Sequence, residues 1–280
     1  MTSDSFVSAR VASADALLPR QGLLDGLWAY ARCALVVAEL EVRKLRHDPL
    51  ELFTRAVQPV LWLVVFGQAF ARLRVIPTGS QDYVTFLAPG ILAQSVLFVS
   101  IFYGLTLIWE RDQGILQKLL AMPVPRASFV AGKALGAGVR GLSQGVMILA
   151  ISLALGVHLR WSALGVLISL LAVIAGAGMF STVSMLLAIA VKRREHFMGL
   201  GQVITMPLFF ASNAIYPISV MPPWLQVVAR VNPLSALVDL LRGALVAGET
   251  PEALLDWAIL LAALVVVQVV AARTCHRVVL

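Results

Sequence analysis

Ala163-Leu-Gly-Val-Leu-Ile-Ser-Leu-Leu-Ala-Val-Ile-Ala-Gly-Ala-Gly-Met-Phe-Ser-Thr-Val-Ser-Met-Leu-Leu-Ala-Ile-Ala190 carries no charged side chain from end to end. About 20 consecutive apolar residues suffice to cross the hydrocarbon of a bilayer, so this stretch reads as a membrane span. Working outward, five further stretches qualify: roughly 54–71, 84–109, 137–157, 199–219 and 253–272. The first is short. Its uncharged part, Ala56 to Ala71, reaches only about 24 Å as a helix and contains Pro59. Composition agrees with a membrane protein. Of 280 residues 60% are hydrophobic and 13% charged, against roughly 45–50% and about 25% in soluble domains. The +7 net charge would suit a nucleic-acid binder, but the charges lie in clusters between spans, which points to membrane topology and away from nucleic acid.

Lys and Arg number 7, 5, 3 and 2 in segments 1–55, 110–140, 192–194 and 273–280, against 2, 1 and 2 in segments 72–82, 158–162 and 220–252. The positive-inside bias predicts both termini in the cytoplasm of a multi-pass protein of the cell (plasma or inner) membrane. Residues 1–25 read as a flexible cytoplasmic tail and 273–280 as a second one, flanking a membrane domain over 54–272. Over 26–50, Asp25, Arg32, Glu39 and Arg46 recur every seven residues, opposite Leu23, Leu27, Ala34, Ala38 and Leu45. This is an amphipathic helix lying in the interface, with Trp28 and Tyr30 at headgroup level and Glu41 misplaced on the apolar side. The expected fold is all-α, with six transmembrane helices, this interfacial helix and an extracytoplasmic re-entrant helical hairpin between spans five and six.

Two connecting segments carry patterns of their own. In Glu110-Arg-Asp-Gln-Gly114-Ile-Leu-Gln-Lys-Leu119-Leu-Ala-Met-Pro123, the residues Ile115, Leu116, Leu119 and Leu120 form an i, i+1, i+4, i+5 stripe ahead of a Pro-Val-Pro stop. A short amphipathic helix over about 112–122 is expected, floating on lipid or filling a groove on a partner protein. On the opposite side, Tyr216-Pro217, Met221-Pro-Pro-Trp224 and Asn232-Pro233 predict two short helices, about Pro223–Arg230 and Pro233–Val246, forming an outer hairpin at about 220–247. Asn213, polar at membrane depth, marks a helix–helix hydrogen bond or a lined cavity, with the hydrogen bond favoured.

Small residues four apart, Gly132/Gly136, Gly141/Gly145, Gly165/Ser169 and Ala172/Gly176, predict close helix packing, within one chain before between chains. Arg140, just inside the third span, reads as snorkelling to the cytoplasmic surface. Aromatics are 8% of the chain, with no evident ladder for stacking sugars. No phosphate loop is present: Gly132-Lys133 is followed by Ala134, and Ala127 stands where the first glycine belongs. With no catalytic constellation, no metal-ligand spacing around Cys33 or Cys275, and almost no ionisable residue in the spans, an enzyme and an ion-coupled carrier are both disfavoured.

The Glu110–Pro123 stretch, with Pro207-Leu-Phe-Phe-Ala-Ser-Asn213-Ala-Ile-Tyr-Pro217, Met221-Pro-Pro-Trp224-Leu and Asn232-Pro-Leu234, resembles the ABC transporter type-2 permeases, the group of the daunorubicin-resistance and nodulation-factor export permeases. Asn213 departs from the glycine common there. The resemblance covers about residues 25–272. It implies a permease that dimerises with itself or a sister permease, and docks two copies of a separate ATPase that bind ATP and Mg. It carries the ATPase contact to Arg43, Lys44, Glu110, Arg111, Gly114, Ile115, Leu116, Leu119, Leu120 and Pro123. It places Asn213, Tyr216, Pro217 and Trp224 at the substrate path and outer gate. The cargo implied is an amphipathic small molecule taken from the cytoplasm or inner leaflet. Polysaccharide or lipo-oligosaccharide export, and a non-transporting membrane scaffold or immunity protein, are the alternatives.

Overall fold

The computed structural model describes residues 23–47, 49–73, 82–115, 118, 126–191, 193–248 and 252–274. Among the described residues there is no strand, as expected where hydrocarbon leaves backbone groups no partner but their own helix. The helices are α1 (Leu23–His47), α2 (Pro49–Leu61), α3 (Gly67–Leu73), α4 (Tyr83–Asp112), α5 (Arg126–Ala154), α6 (Ala163–Ala190), α7 (Arg194–Phe210), α8 (Pro223–Val231), α9 (Pro233–Arg242) and α10 (Ala253–Thr274). A π-helical turn, Trp62–Phe66, joins α2 to α3, and another, Gly243–Ala247, follows α9.

Among the described residues four helices are long and apolar enough to cross a membrane: α4, α5 from Ala127, α6 and α10. Four of the six expected spans therefore stand as single long helices. The stretch expected at 54–71 is α2, the π turn and α3 in series, and its apolar part runs only from Val57 to Ala71. The stretch expected at 199–219 ends early, because α7 stops at Phe210. Its last carbonyls are taken by side chains: Ser212 Oγ donates to Phe209 O (2.7 Å), Tyr216 Oη to Phe210 O (2.6 Å), and Asn232 Nδ2 to Leu208 O (2.8 Å) and Ala211 O (3.3 Å). With its orphan acceptors satisfied, the helix can end amid apolar surroundings.

α4 is the axis of the bundle, with 78% of its apolar window buried, whereas α10 has 11% and presents its leucines and valines outward. The two arms of the expected outer hairpin exist as α8 and α9 but differ in environment. α8 is exposed at Trp224, Val227 and Val231, while Leu234, Leu237, Val238, Leu240 and Leu241 of α9 are fully buried against α4, α6 and α10. α9 ends at Arg242, short of the expected Val246, where the backbone passes into the π turn and closes at Gly248 with φ +85°.

The small residues serve packing within the chain. A Cβ on Gly165 would lie 2.5 Å from Ala244 O, and one on Gly176 2.8 Å from Leu237 Cδ2. Gly132 and Gly136 form the seat of α1: an added Cβ would meet Val37 Cβ and Glu41 Cβ, each at 2.6 Å. The helix expected in the interface has a protein partner on one side. α1 docks lengthwise on α5, burying Ala34, Ala38 and Glu41. Trp28 stays exposed and Tyr30 Oη donates to Ala127 O (3.3 Å). Hydrocarbon gives Glu41 no partner, whereas α5 supplies one.

Candidate functional site

Glu41 reaches over Gly136 into a buried ion cluster built by three helices. Lys133 of α5 donates to Glu41 Oε1 (2.7 Å) and to both oxygens of Glu110, at the foot of α4 (2.8 Å each). Lys44 of α1 bridges the same carboxylates, at 3.0 Å to Glu41 and 2.5 Å to Glu110. Arg140 Nη2 stands 3.7 Å from Glu41 Oε2. Tyr103 lies beneath, its ring centroid 5.6 Å from Lys133 Nζ and 4.9 Å from Arg140 Cζ. Lys133 and Glu41 are each 2% exposed, and of the cluster only Lys44 reaches solvent, at 49%.

Burial alone would push the Glu41 carboxyl up. The Lys133 charge and hydrogen bond, with the Lys44 charge, overcome it and hold the group down at about 2. Burial works against the Lys44 ammonium too, yet its bond to Glu110 and the two carboxylate charges raise its pKa. Both groups are therefore ionised across the physiological range. Arg140, expected to snorkel to the cytoplasmic surface, lies 5% exposed and turned toward Glu41. Lys133, which the sequence offered only as a failed phosphate loop, is the hub.

The other residues singled out at this end divide. Arg43 lies outside the cluster, paired with Glu39 on the exposed face of α1 (2.7 Å). Arg111 Nη1 donates to the final carbonyls of α6, at Ala188 (3.5 Å) and Val191 (3.4 Å), a cation placed where a helix C-terminus is negative. Gly114 adopts φ +71° and ends α4, a conformation that favours glycine. Ile115 follows it, 40% exposed. Leu116, Leu119, Leu120 and Pro123, as well as most of the 1–25 tail and residues 275–280, lie outside the described residues.

At the opposite end Asn213 makes the hydrogen bond expected of it: Nδ2 donates to Asp239 Oδ1 at 2.6 Å. Arg242 closes the group, donating to Asn213 O (2.9 Å) and Asp239 Oδ1 (3.4 Å) while its guanidinium covers the Phe86 ring at 3.9 Å. Tyr216 caps α7, Pro217 opens a 3₁₀ turn, and Trp224 is 69% exposed. Asp239 and Arg242, unnoticed in the sequence, were visible there as an i, i+3 acid–base pair.

Between the two ends the rings form a column. Trp62 stacks on Phe66 (4.3 Å), followed by Phe66–Phe70 (6.2 Å), Phe70–Tyr83 (5.8 Å) and Tyr83–Phe86 (6.4 Å), which ends under Arg242. No ladder is evident from composition, yet Trp62, Phe66 and Phe70 recur every four residues. Tyr83 and Phe86 are buried, so the outer part of the column packs the fold and only the Trp62–Phe70 part reaches the surface.

The chain is similar in sequence to named permeases. Transport permease ycf38 of Cyanophora paradoxa is 30% identical over 203 residues, 71% of this chain and 69% of the relative. The daunorubicin resistance ABC transporter permease protein DrrB1 of Streptomyces coeruleorubidus is 25% identical over 194 residues, 68% of this chain and 66% of the relative. The inner membrane transport permease YadH of Escherichia coli K12 is 26% identical over 188 residues, 64% and 69%. The ABC-2 type transporter family matches residues 33–246, a range that begins inside α1 and ends beyond α9. The chain belongs to the ABC-2 type transporter family.

Proposed function

We propose that the chain is the permease subunit of an ATP-driven exporter, moving an amphipathic drug, antibiotic or lipid-like molecule out of the cytoplasm or inner leaflet. It works in the plasma or inner membrane, with six crossings, both termini cytoplasmic and α8–α9 as an outer hairpin. Two copies of a separate ATPase, which bind ATP and Mg, dock at the Glu110 end. The observation that carries this reading is the buried cluster of Glu41, Lys133 and Glu110. It ties the last turn of α4, just before the expected docking segment, to α1 and α5. A push on that segment is passed to three helices as one rigid body, since breaking a buried ion pair is expensive. DrrB1, a daunorubicin resistance permease, supports an amphipathic cargo. Gln68 and Gln202 point outward from α3 and α7 where lipid offers amides no partner, which supports pairing with a second permease.

The test uses inverted membrane vesicles containing this chain and the ATPase that co-purifies with it, with daunorubicin as the fluorescent probe. ATP-dependent uptake is expected with both proteins and with neither alone. Leu119→Asp/Leu120→Asp is expected to abolish uptake and ATPase co-purification while the chain still inserts. Full co-purification with that variant overturns the docking assignment, and absence of uptake with both wild-type proteins favours a non-transporting scaffold. Polysaccharide or lipo-oligosaccharide export is the second reading, favoured by the exposed Trp62–Phe66–Phe70 part of the ring column. It ranks lower because the remaining rings are buried.

A further inference from the structure

α7 is held mainly along one edge. Phe197, Gly201, Thr205 and Phe209 recur every four residues and are buried, whereas Met198, Val203 and Phe210 are exposed. The buried stripe runs antiparallel along α4: a Cβ added to Gly104 would lie 3.0 Å from Phe197 Cζ, and one on Gly201 3.5 Å from Ile101 Cγ2. A helix with a single buried edge takes its position from the helix it rides on.

One turn before Phe197 the contact becomes polar. Arg194, the first residue of α7, donates from Nη2 to Asp112 Oδ2 at 2.9 Å, and its guanidinium covers the Trp109 ring at 5.6 Å. Asp112 ends α4 and Trp109 lies one turn earlier, so Arg194 holds the foot of α4 at two points, just ahead of the expected docking segment. Phe197 fixes where α7 sits along α4, and Arg194 fixes how its first turn is rotated. The pair is half-exposed, at 48% and 42%, where an ion pair by itself adds little stability. What it adds is geometry, since a planar guanidinium held by a carboxylate and a ring has one orientation.

At its other end α7 stops at Phe210, three residues before Asn213, which bonds Asp239 of α9 at 2.6 Å. α7 therefore joins the foot of α4 to the outer polar group.

We propose that Arg194 is a positioning residue: a displacement of the docking segment moves Asp112, Asp112 turns α7 through Arg194, and α7 passes the motion to Asn213 and Asp239. This rests on the permease reading above, because a docked ATPase supplies the displacement.

The chain and its co-purifying ATPase are placed in nanodiscs, and amide hydrogen exchange is compared without nucleotide and with ATP and vanadate. In wild type, exchange is expected to change in both 104–115 and 194–210. In Arg194→Ala the change is expected to remain in 104–115 and vanish from 194–210. ATP hydrolysis is expected to persist while daunorubicin uptake per ATP in inverted vesicles falls about fivefold, the combined worth of an exposed ion pair and a cation–π contact. The reversed pair Asp112→Arg/Arg194→Asp is expected to bring both readouts back toward wild type, which a loss of folding would not do. Arg193→Ala, at the exposed neighbour, is expected to match wild type throughout. Retention of the 194–210 change in Arg194→Ala overturns the inference, as does a reversed pair no better than Arg194→Ala or an equal loss in Arg193→Ala. A wild-type change confined to 104–115 overturns the inference alone, whereas no change in either segment overturns the ATP-driven reading with it.

Discussion

Glu41 and Lys133, 92 positions apart in the chain, meet at 2.7 Å with each side chain 2% exposed. Two buried charges at this distance hold each other in place, and Glu110 completes the coordination of the ammonium. Lys133→Met leaves two carboxylates short of their shared partner and is expected to cost about 3 kcal/mol, near the low end for a broken buried pair because Lys44 and Arg140 remain. Adding Glu41→Met to Lys133→Met is expected to recover part of the loss. Thermal unfolding in detergent micelles ranks wild type, double and single variants in that order; a single variant melting with the wild type would show that the cluster contributes no stability.

α1 sits on Gly136 with no room for a side chain, the added Cβ falling 2.6 Å from Glu41 Cβ. Gly136→Leu must lift α1 and separate Glu41 from Lys133, at about 1–3 kcal/mol for overpacking alone. Limited trypsin digestion reads the outcome, because Arg43 and Lys44 become easier to cut once α1 leaves α5. An unchanged cleavage rate at these two sites would contradict the docked position.

The pH dependence follows from Glu41, whose carboxyl falls from 4.5 to about 2 on folding. A depressed folded-state pKa contributes stability above the unfolded value and loses it as pH drops toward the folded one. The shift is worth about 3 kcal/mol, fully present above pH about 5 and lost progressively between there and pH about 2. Melting temperatures measured from pH 6 down to pH 3 are expected to fall more steeply for wild type than for Glu41→Gln. Parallel curves would assign the acid loss to other groups.

At the other end Asn213 bridges α7 to α9 through Asp239 (2.6 Å). Asn213→Ala is expected to cost about 1–3 kcal/mol. Asn213→Asp is expected to cost more, since it sets a second carboxylate against Asp239 with one arginine between them. Melting order decides, and an aspartate variant as stable as the asparagine protein would exclude the predicted repulsion.

Much of the layout was legible in the residues. The long apolar runs at α4, α5, α6 and α10 allowed only helices, because a backbone in hydrocarbon has to satisfy itself. The proline starts of α8 and α9 and the hydrogen bond of Asn213 were readable for local reasons: proline presets the first helical turn, and a buried amide needs a partner. Glu41 was visible only as an anomaly on an apolar face, and Lys133 only as the remnant of a motif it does not form. Neither could be interpreted without its partner.

What the residues fixed by themselves is therefore the local part: which segments are helical, which are greasy enough for a bilayer, and where proline and glycine stop them. Tertiary structure alone decided that α1 rests on Gly132 and Gly136, that Arg140 turns inward, that α7 ends at Phe210, and that α9 is enclosed while α8 is not. Periodicity and hydropathy depend on neighbours a few residues apart, whereas a buried charge or an unpaired carbonyl is satisfied by a group that only the folded chain brings within 3 Å or so.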